Sequence, residues 1–200
     1  KKTPEAKEYA EYAAYISSPS RATASEFISE FIERNADHLT DFKRLVSYMA
    51  NRPGAEKIGA HGLFSQFDED IDLKKCAEEV DDHKGIVWTH VISLKREDAE
   101  RLGYNNAEAW KSLIRRHINE IAWAHRIDVD NLQWYAAFHN ESHHPHVHLV
   151  VYSTNPSEGY LSPKGIDTMR STYAHDIFRQ EFMSIYEKRT QQREQLKEQA

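Results

Sequence analysis

The chain has 200 residues, 40% hydrophobic and 29% charged, which is enough apolar material for one globular core, alone or with an appendage. No apolar run approaches the ~18 residues of a membrane span, and the polar start, Lys1 to Lys7, lacks a signal-peptide core, so a transmembrane or exported protein is not expected. The net charge of −6 argues against non-specific coating of nucleic acid while leaving room for a local basic groove; the single cysteine, Cys76, excludes a disulfide framework or a cysteine zinc finger and suits the reducing cytoplasm.

The first third reads as helix. Glu5 to Ile16 carries Tyr9, Tyr12 and Tyr15 at three-residue steps, as a packed helix face would, before Ser18-Pro19-Ser20 breaks it. Thr23 or Ser25 caps a second helix with Phe27, Ile28, Phe31 and Ile32 on one side. A third helix runs from Leu39 to Ala50 and is stopped by Asn51-Arg52-Pro53-Gly54.

Gly59 to Phe67 reads as loop, and Asp72 to Val80 as a short helix with an acidic end. Val87 to Leu94 is rich in β-branched residues and predicts a strand. Asn106 to Ala124 predicts one amphipathic helix, with Trp110, Leu113, Ile114, Ile118, Ile121 and Ala122 towards one side. Leu132 to His139 and His146 to Ser153 predict two strands joined by the six residues Asn140 to Pro145, a length that suits a hairpin. Ser162-Pro163 opens a last helix with Ile166, Met169, Tyr173, Ile177 and Phe178 on its apolar face, and Glu187 to Ala200 forms a solvated helical tail. This order implies an α+β fold, an antiparallel sheet with flanking helices, most simply packed on one face. The expected divisions are a helical segment 1–38, a central domain 39–187 and a polar tail 188–200.

The unusual composition lies in the histidines, 12 in all, with His139, His143, His144, His146 and His148 crowded into one block. Residues two apart on a strand share a face, so His146 and His148 project together while Val147, Leu149 and Val151 enter the core. On the preceding strand Leu132, Trp134, Ala136 and Phe138 form the apolar face, and Gln133, Tyr135, Ala137 and His139 the other. If the two strands pair, three imidazoles converge. Neutral imidazole is a common ligand for divalent metals, and three protein ligands leave positions open for substrate. Glu141, in the adjoining loop, is placed to orient a ring N–H or to accept a proton. His143 and His144 read as exposed turn residues, and His90, beside Trp88 and Ile92, as a packed, hydrogen-bonded one.

The block His139-x-Glu141 followed by His146-x-His148 resembles the three-histidine motif of conjugative relaxases of the HUH endonuclease superfamily. Leu45 to Gly54, His61 to Ser65, Val87 to Leu94, Trp134 to His139 and Gly159-Tyr160-Leu161 are similar to MOBP-class relaxases of Gram-positive mobile elements, a resemblance covering roughly residues 40 to 187. It implies an antiparallel sheet that carries the metal, and strand-specific nicking at a transfer origin during conjugation or plasmid mobilisation. A tyrosine attacks the scissile phosphate there, leaving a 5′-phosphotyrosyl link and a 3′-hydroxyl. On this resemblance His139, His146 and His148 match the metal ligands, Glu141 the acidic position, usually Asp, and Tyr48 the tyrosine of the Tyr-[Ile/Met]-Ala-x-Arg block.

Mn²⁺ or Mg²⁺ is the cofactor the family implies, although three imidazoles also suit Zn²⁺ or Ni²⁺. The implied partners are single-stranded or hairpin origin-of-transfer DNA and accessory relaxosome and coupling proteins. Arg52, Lys57, Lys111, Arg115, Arg116 and Lys164 are candidate phosphate contacts, each equally readable as a solvated charge. Relatives of this subgroup usually carry more chain ahead of the part corresponding to residue 1, with a strand and a second tyrosine block. Two nucleophile assignments therefore stay open, Tyr48 or a tyrosine preceding this chain. A non-catalytic origin-DNA binding module and a rolling-circle replication initiator of the same superfamily are the competing readings.

Overall fold

The computed structural model describes residues 42–179, apart from 53 and 143, together with residue 183. The chain divides into two compact units, Lys1–Leu45 and Val46–Ala200. The first turn of the helix that starts at Phe42 belongs to the first unit, and all the other described elements belong to the second. The expected helices around Tyr9 and Phe27 and the tail beyond Glu187 lie outside the described residues.

Among the described residues six α-helices and four strands run in the order α1 Phe42–Asn51, β1 Leu63–Ser65, α2 Leu73–Asp81, β2 Val87–Ser93, α3 Arg96–Leu102, α4 Ala107–Arg116, α5 Ile118–His125, β3 Leu132–His139, β4 His146–Ser153 and α6 Pro163–Ile177. Helix starts follow local chemistry. The Asp72 carboxylate accepts from the Lys74 and Lys75 amides, Asn106 from Ala109 N, and Ser162 from Gly165 N with Pro163 directly after it.

The strands form one antiparallel sheet in the order β1-β3-β4-β2. β3 and β4 pair along their full length, from Leu132 opposite Ser153 to His139 opposite His146. One face carries Trp134, Ala136, Phe138, Val147, Leu149 and Val151 into the main core, against Trp110, Leu113 and Ile114 of α4 and Ile121 and Ala122 of α5. The alternation in β3 and β4 dictates this face, since burying the apolar set on one side fixes the register.

Helices cover both faces, which corrects the expectation of one. Tyr135 and Tyr152 stack on the second face at 6.4 Å, and the Tyr152 hydroxyl donates to Glu79 of α2 at 2.7 Å. The buried Cys76, Ala77 and Val80 form the inner stripe of α2. α1 reaches the same face through its carboxyl end, where the Met49 carbonyl meets the His139 ring.

Three further differences have physical causes. β1 lies inside the expected loop 59–67. Its three residues are too few to show a period, and pairing with Ala137, Ala136 and Tyr135 makes them a strand. The expected helix 106–124 is broken at His117, where the amide bonds back to Ile114 O at 3.1 Å and Nε2 lies 2.8 Å from Asp176 of α6. α3 was not foreseen because only Ala99 of its seven residues is buried, so it has no apolar stripe. Among the described residues no helix is long and apolar enough to cross a membrane.

Candidate metal centre

The end of the β3–β4 hairpin brings three imidazoles together. His139 is the last residue of β3, His146 faces it as the first of β4, and His148 comes two residues on. Ring centroids lie 5.1 Å apart for His139 and His146, 4.7 Å for His139 and His148, and 4.9 Å for His146 and His148. One nitrogen from each ring can be chosen so that all lie within 4.8 Å of one another. The Nε2 atoms of His146 and His148 are 3.2 Å apart. That is the spacing of two nitrogens that each sit about 2.1 Å from a shared ion.

The outer hydrogen bonds decide which nitrogens face inward. His139 Nε2 lies 2.9 Å from the Met49 carbonyl oxygen and His146 Nδ1 lies 2.9 Å from the His144 carbonyl oxygen. A carbonyl only accepts, so both nitrogens carry the proton. The lone pairs then sit on His139 Nδ1 and His146 Nε2. His139 Nδ1 is buried without a hydrogen-bond partner among the described residues. A buried lone pair facing two further imidazoles, with His139 and His146 anchored from behind, fits a divalent cation.

Electrostatics favours the ligand form. Burial holds all three rings below the ordinary imidazole range, and His148 falls to about 3 with help from its two neighbours and Arg52. The rings are therefore neutral at pH 7. His139 is fully buried, whereas His146 and His148 keep part of their surface, which leaves an approach from solvent.

α1 aims its carboxyl end at this cluster. Its last carbonyls need partners outside the helix. Arg52 N takes Tyr48 O, the His139 ring takes Met49 O and Gly62 N takes Ala50 O, each at 2.9 Å. Val46, Met49 and Ala50 are buried, so the helix is held while Tyr48 is 52% exposed. The negative end of the helix dipole favours positive charge at the ligand it touches.

Beside Tyr48, the Arg52 guanidinium sits 5.5 Å from the phenol ring centre and 3.4 Å from Glu141 Oε1. The ring N–H groups of His139 and His146 are thus held by main-chain carbonyls, and Glu141 faces Arg52. Arg96 binds the Glu141 and Ser142 carbonyls, and Leu94 N bonds Pro145 O at 3.1 Å. These contacts tie down the loop between the histidine strands.

The other cations singled out in the sequence lie elsewhere. Lys111 is buried with its ammonium 2.7 Å from Asp68, which Arg115 shares at 2.8 Å. Arg116 pairs with Asp176 at 3.0 Å. Lys57 and Lys164 are exposed. Of the six, Arg52 is the one that the structure places beside Glu141 in the histidine loop. His144 contributes its carbonyl, and His143 lies outside the described residues. His90 is packed as the sequence suggested, with Nε2 2.8 Å from His125 Nε2. Sequence reasoning missed two parts of the site. The Met49 carbonyl is main chain and has no residue signature. Arg96, just after β2, shows its role only once the hairpin loop folds against it.

A family model described as MobL relaxases matches residues 1–200. No curated protein and no solved structure matches the chain.

Proposed function

Because the chain belongs to the MobL relaxases, we propose that it nicks one strand of origin-of-transfer DNA with Tyr48 as nucleophile and a divalent cation, Mn²⁺ or Mg²⁺, held by His139 Nδ1, His146 Nε2 and His148 Nε2. The convergence of three imidazoles, with the outer N–H groups of His139 and His146 anchored, is the observation that carries this reading. It supports a site on the HUH pattern.

When bound, the cation supplies positive charge at the scissile phosphate. The protein's own residues do the rest. α1 presents Tyr48 from a helix whose next residue is bonded to a metal ligand. The Tyr48 Oη forms a bond to phosphorus as the bond to the 3′-oxygen breaks. The phenolic proton leaves to solvent, and the 3′-oxygen departs as a hydroxyl after taking up a proton. The phosphodiester becomes a 5′-phosphotyrosyl ester, so the reverse reaction can reseal the strand. A neutral phenol is a weak nucleophile, and the Arg52 guanidinium, 5.5 Å from the Tyr48 ring centre, puts positive charge beside the reacting groups. Accessory relaxosome and coupling proteins are further partners in this reading, and the lone buried cysteine, Cys76, suits action in the cytoplasm.

The test is covalent adduct formation on a single-stranded origin oligonucleotide with Mn²⁺. The intact protein forms a 5′-phosphotyrosyl adduct, and Tyr48→Phe forms none. A normal adduct with Tyr48→Phe places the nucleophile elsewhere. DNA binding without any adduct by the intact protein makes the chain an origin-binding module.

A further inference from the structure

Arg52 presents an electrostatic puzzle. Its guanidinium stands beside the histidine loop, 5.5 Å from the Tyr48 ring centre, and its positive charge opposes the arrival of a metal cation. A fixed guanidinium beside a cation site weakens the site unless an anion sits between the two charges. Within the described residues the anion that Arg52 meets is Glu141, at 3.4 Å. This separation is longer than the roughly 2.7–2.9 Å of a tight charge-assisted bond. Both side chains are about one-third exposed, 33% and 37%, so the pair is loose and reachable from solvent.

The carboxylate is nevertheless placed with care. Arg96 holds the Glu141 carbonyl, and Asn140 N bonds Gly54 O at 2.7 Å. Gly54 has φ +96°, and a Cβ there would lie 3.0 Å from Glu141 Oε1. The bare glycine turn is the floor on which the carboxylate rests. A carboxylate and a phosphodiester each carry one negative charge and present two oxygens to a guanidinium. Exchanging one for the other leaves the charge around the histidines unchanged.

We propose that Glu141 is a built-in stand-in for DNA phosphate, occupying the Arg52 guanidinium in the free protein until a backbone phosphate displaces it. The inference rests on the reading of this site as one that receives DNA. It makes Glu141 a brake on binding: a backbone phosphate gains Arg52 only after breaking the ion pair, which disfavours DNA that cannot also engage the rest of the site.

The test is a double-mutant cycle on the full chain. The probe is a fluorescently labelled, mixed-sequence single-stranded DNA, followed by anisotropy over a salt series in metal-free buffer. Glu141→Gln binds roughly two- to five-fold tighter than the parent, the range that release of an exposed ion pair provides, with a steeper salt dependence from the freed cation. Arg52→Gln binds more weakly, and adding Glu141→Gln to it brings no gain. The proposal is overturned if Glu141→Gln binds no tighter than the parent, or gains the same factor without Arg52, which would be a net-charge effect. Because binding is read without metal, the cycle is separate from nicking. A chain that shows this coupling but forms no phosphotyrosyl adduct keeps the stand-in and loses Tyr48 as nucleophile.

Discussion

Met49 and His139 are joined by a 2.9 Å hydrogen bond from the ring Nε2–H to the main-chain carbonyl. The bond fixes the His139 tautomer and turns Nδ1 towards the other two imidazoles. It also locks the helix that carries Tyr48 to a candidate metal ligand, so candidate nucleophile and candidate metal site share one support.

Metal affinity follows directly from the three-ring geometry. His146→Ala removes a nitrogen 3.2 Å from its His148 partner and leaves the main core intact, because the His146 side chain lies on the opposite sheet face. Loss of groups that merely orient a ligand costs about 10–100-fold in affinity, so loss of the ligand itself weakens Mn²⁺ binding by at least about 100-fold. Isothermal titration with a circular-dichroism check of folding measures it. Unchanged affinity removes His146 from the site.

Two glycines with positive φ separate backbone strain from site geometry. Gly54 and Gly103 sit at φ +96° and +81°, and a Cβ at Gly103 meets nothing within 4 Å. Replacing either with alanine costs about 1–2 kcal/mol of stability through backbone strain, measured by urea unfolding. Only Gly54→Ala also pushes on the Glu141 carboxylate, so only this variant changes affinity for single-stranded DNA. Equal DNA binding by both variants would show that the Gly54 turn does not position Glu141.

Acid stability is set partly by the packed His90–His125 pair. The His125 Nδ1–H donates to Ile121 O at 2.7 Å, so its Nε2 accepts from His90 across 2.8 Å, and both rings are neutral. Burial lowers both, His90 to about 3 from the ordinary 6.5. The unfolded chain therefore binds protons that the native state refuses. The stabilisation is complete above about pH 6.5 and drains away as pH falls towards about 3, at up to about 1.4 kcal/mol per pH unit for each group. Urea midpoints of metal-free protein at pH 7.5 and pH 5 show the fall, and His90→Gln makes it shallower. A His90→Gln variant with undiminished pH sensitivity assigns the effect to other groups.

The sequence made the hairpin legible because β3 and β4 alternate so regularly. Phe138, Val147 and Leu149 must face the core, and His139, His146 and His148 then share the opposite face. Ser162-Pro163 marked a helix start through cap chemistry, ahead of an apolar face. Elsewhere the decisive interactions are tertiary. β1 is a strand because β3 needs an edge partner, the break at His117 comes from an acid on α6, and α3 has no periodicity to read. The same limit applies at the site. Ligand types are visible in the chain, but the two carbonyls that choose their tautomers carry no side-chain signature. The Asp68 pairings of Lys111 and Arg115 likewise appear only on folding.

The most direct test of the account is a crystal structure with Mn²⁺, located by its anomalous signal. One ion is expected at the mouth of the hairpin, bound by His139 Nδ1, His146 Nε2 and His148 Nε2, with the Met49 and His144 carbonyl bonds retained. An ion bound elsewhere, or one that draws in His139 through Nε2 and breaks the bond to Met49, would contradict it.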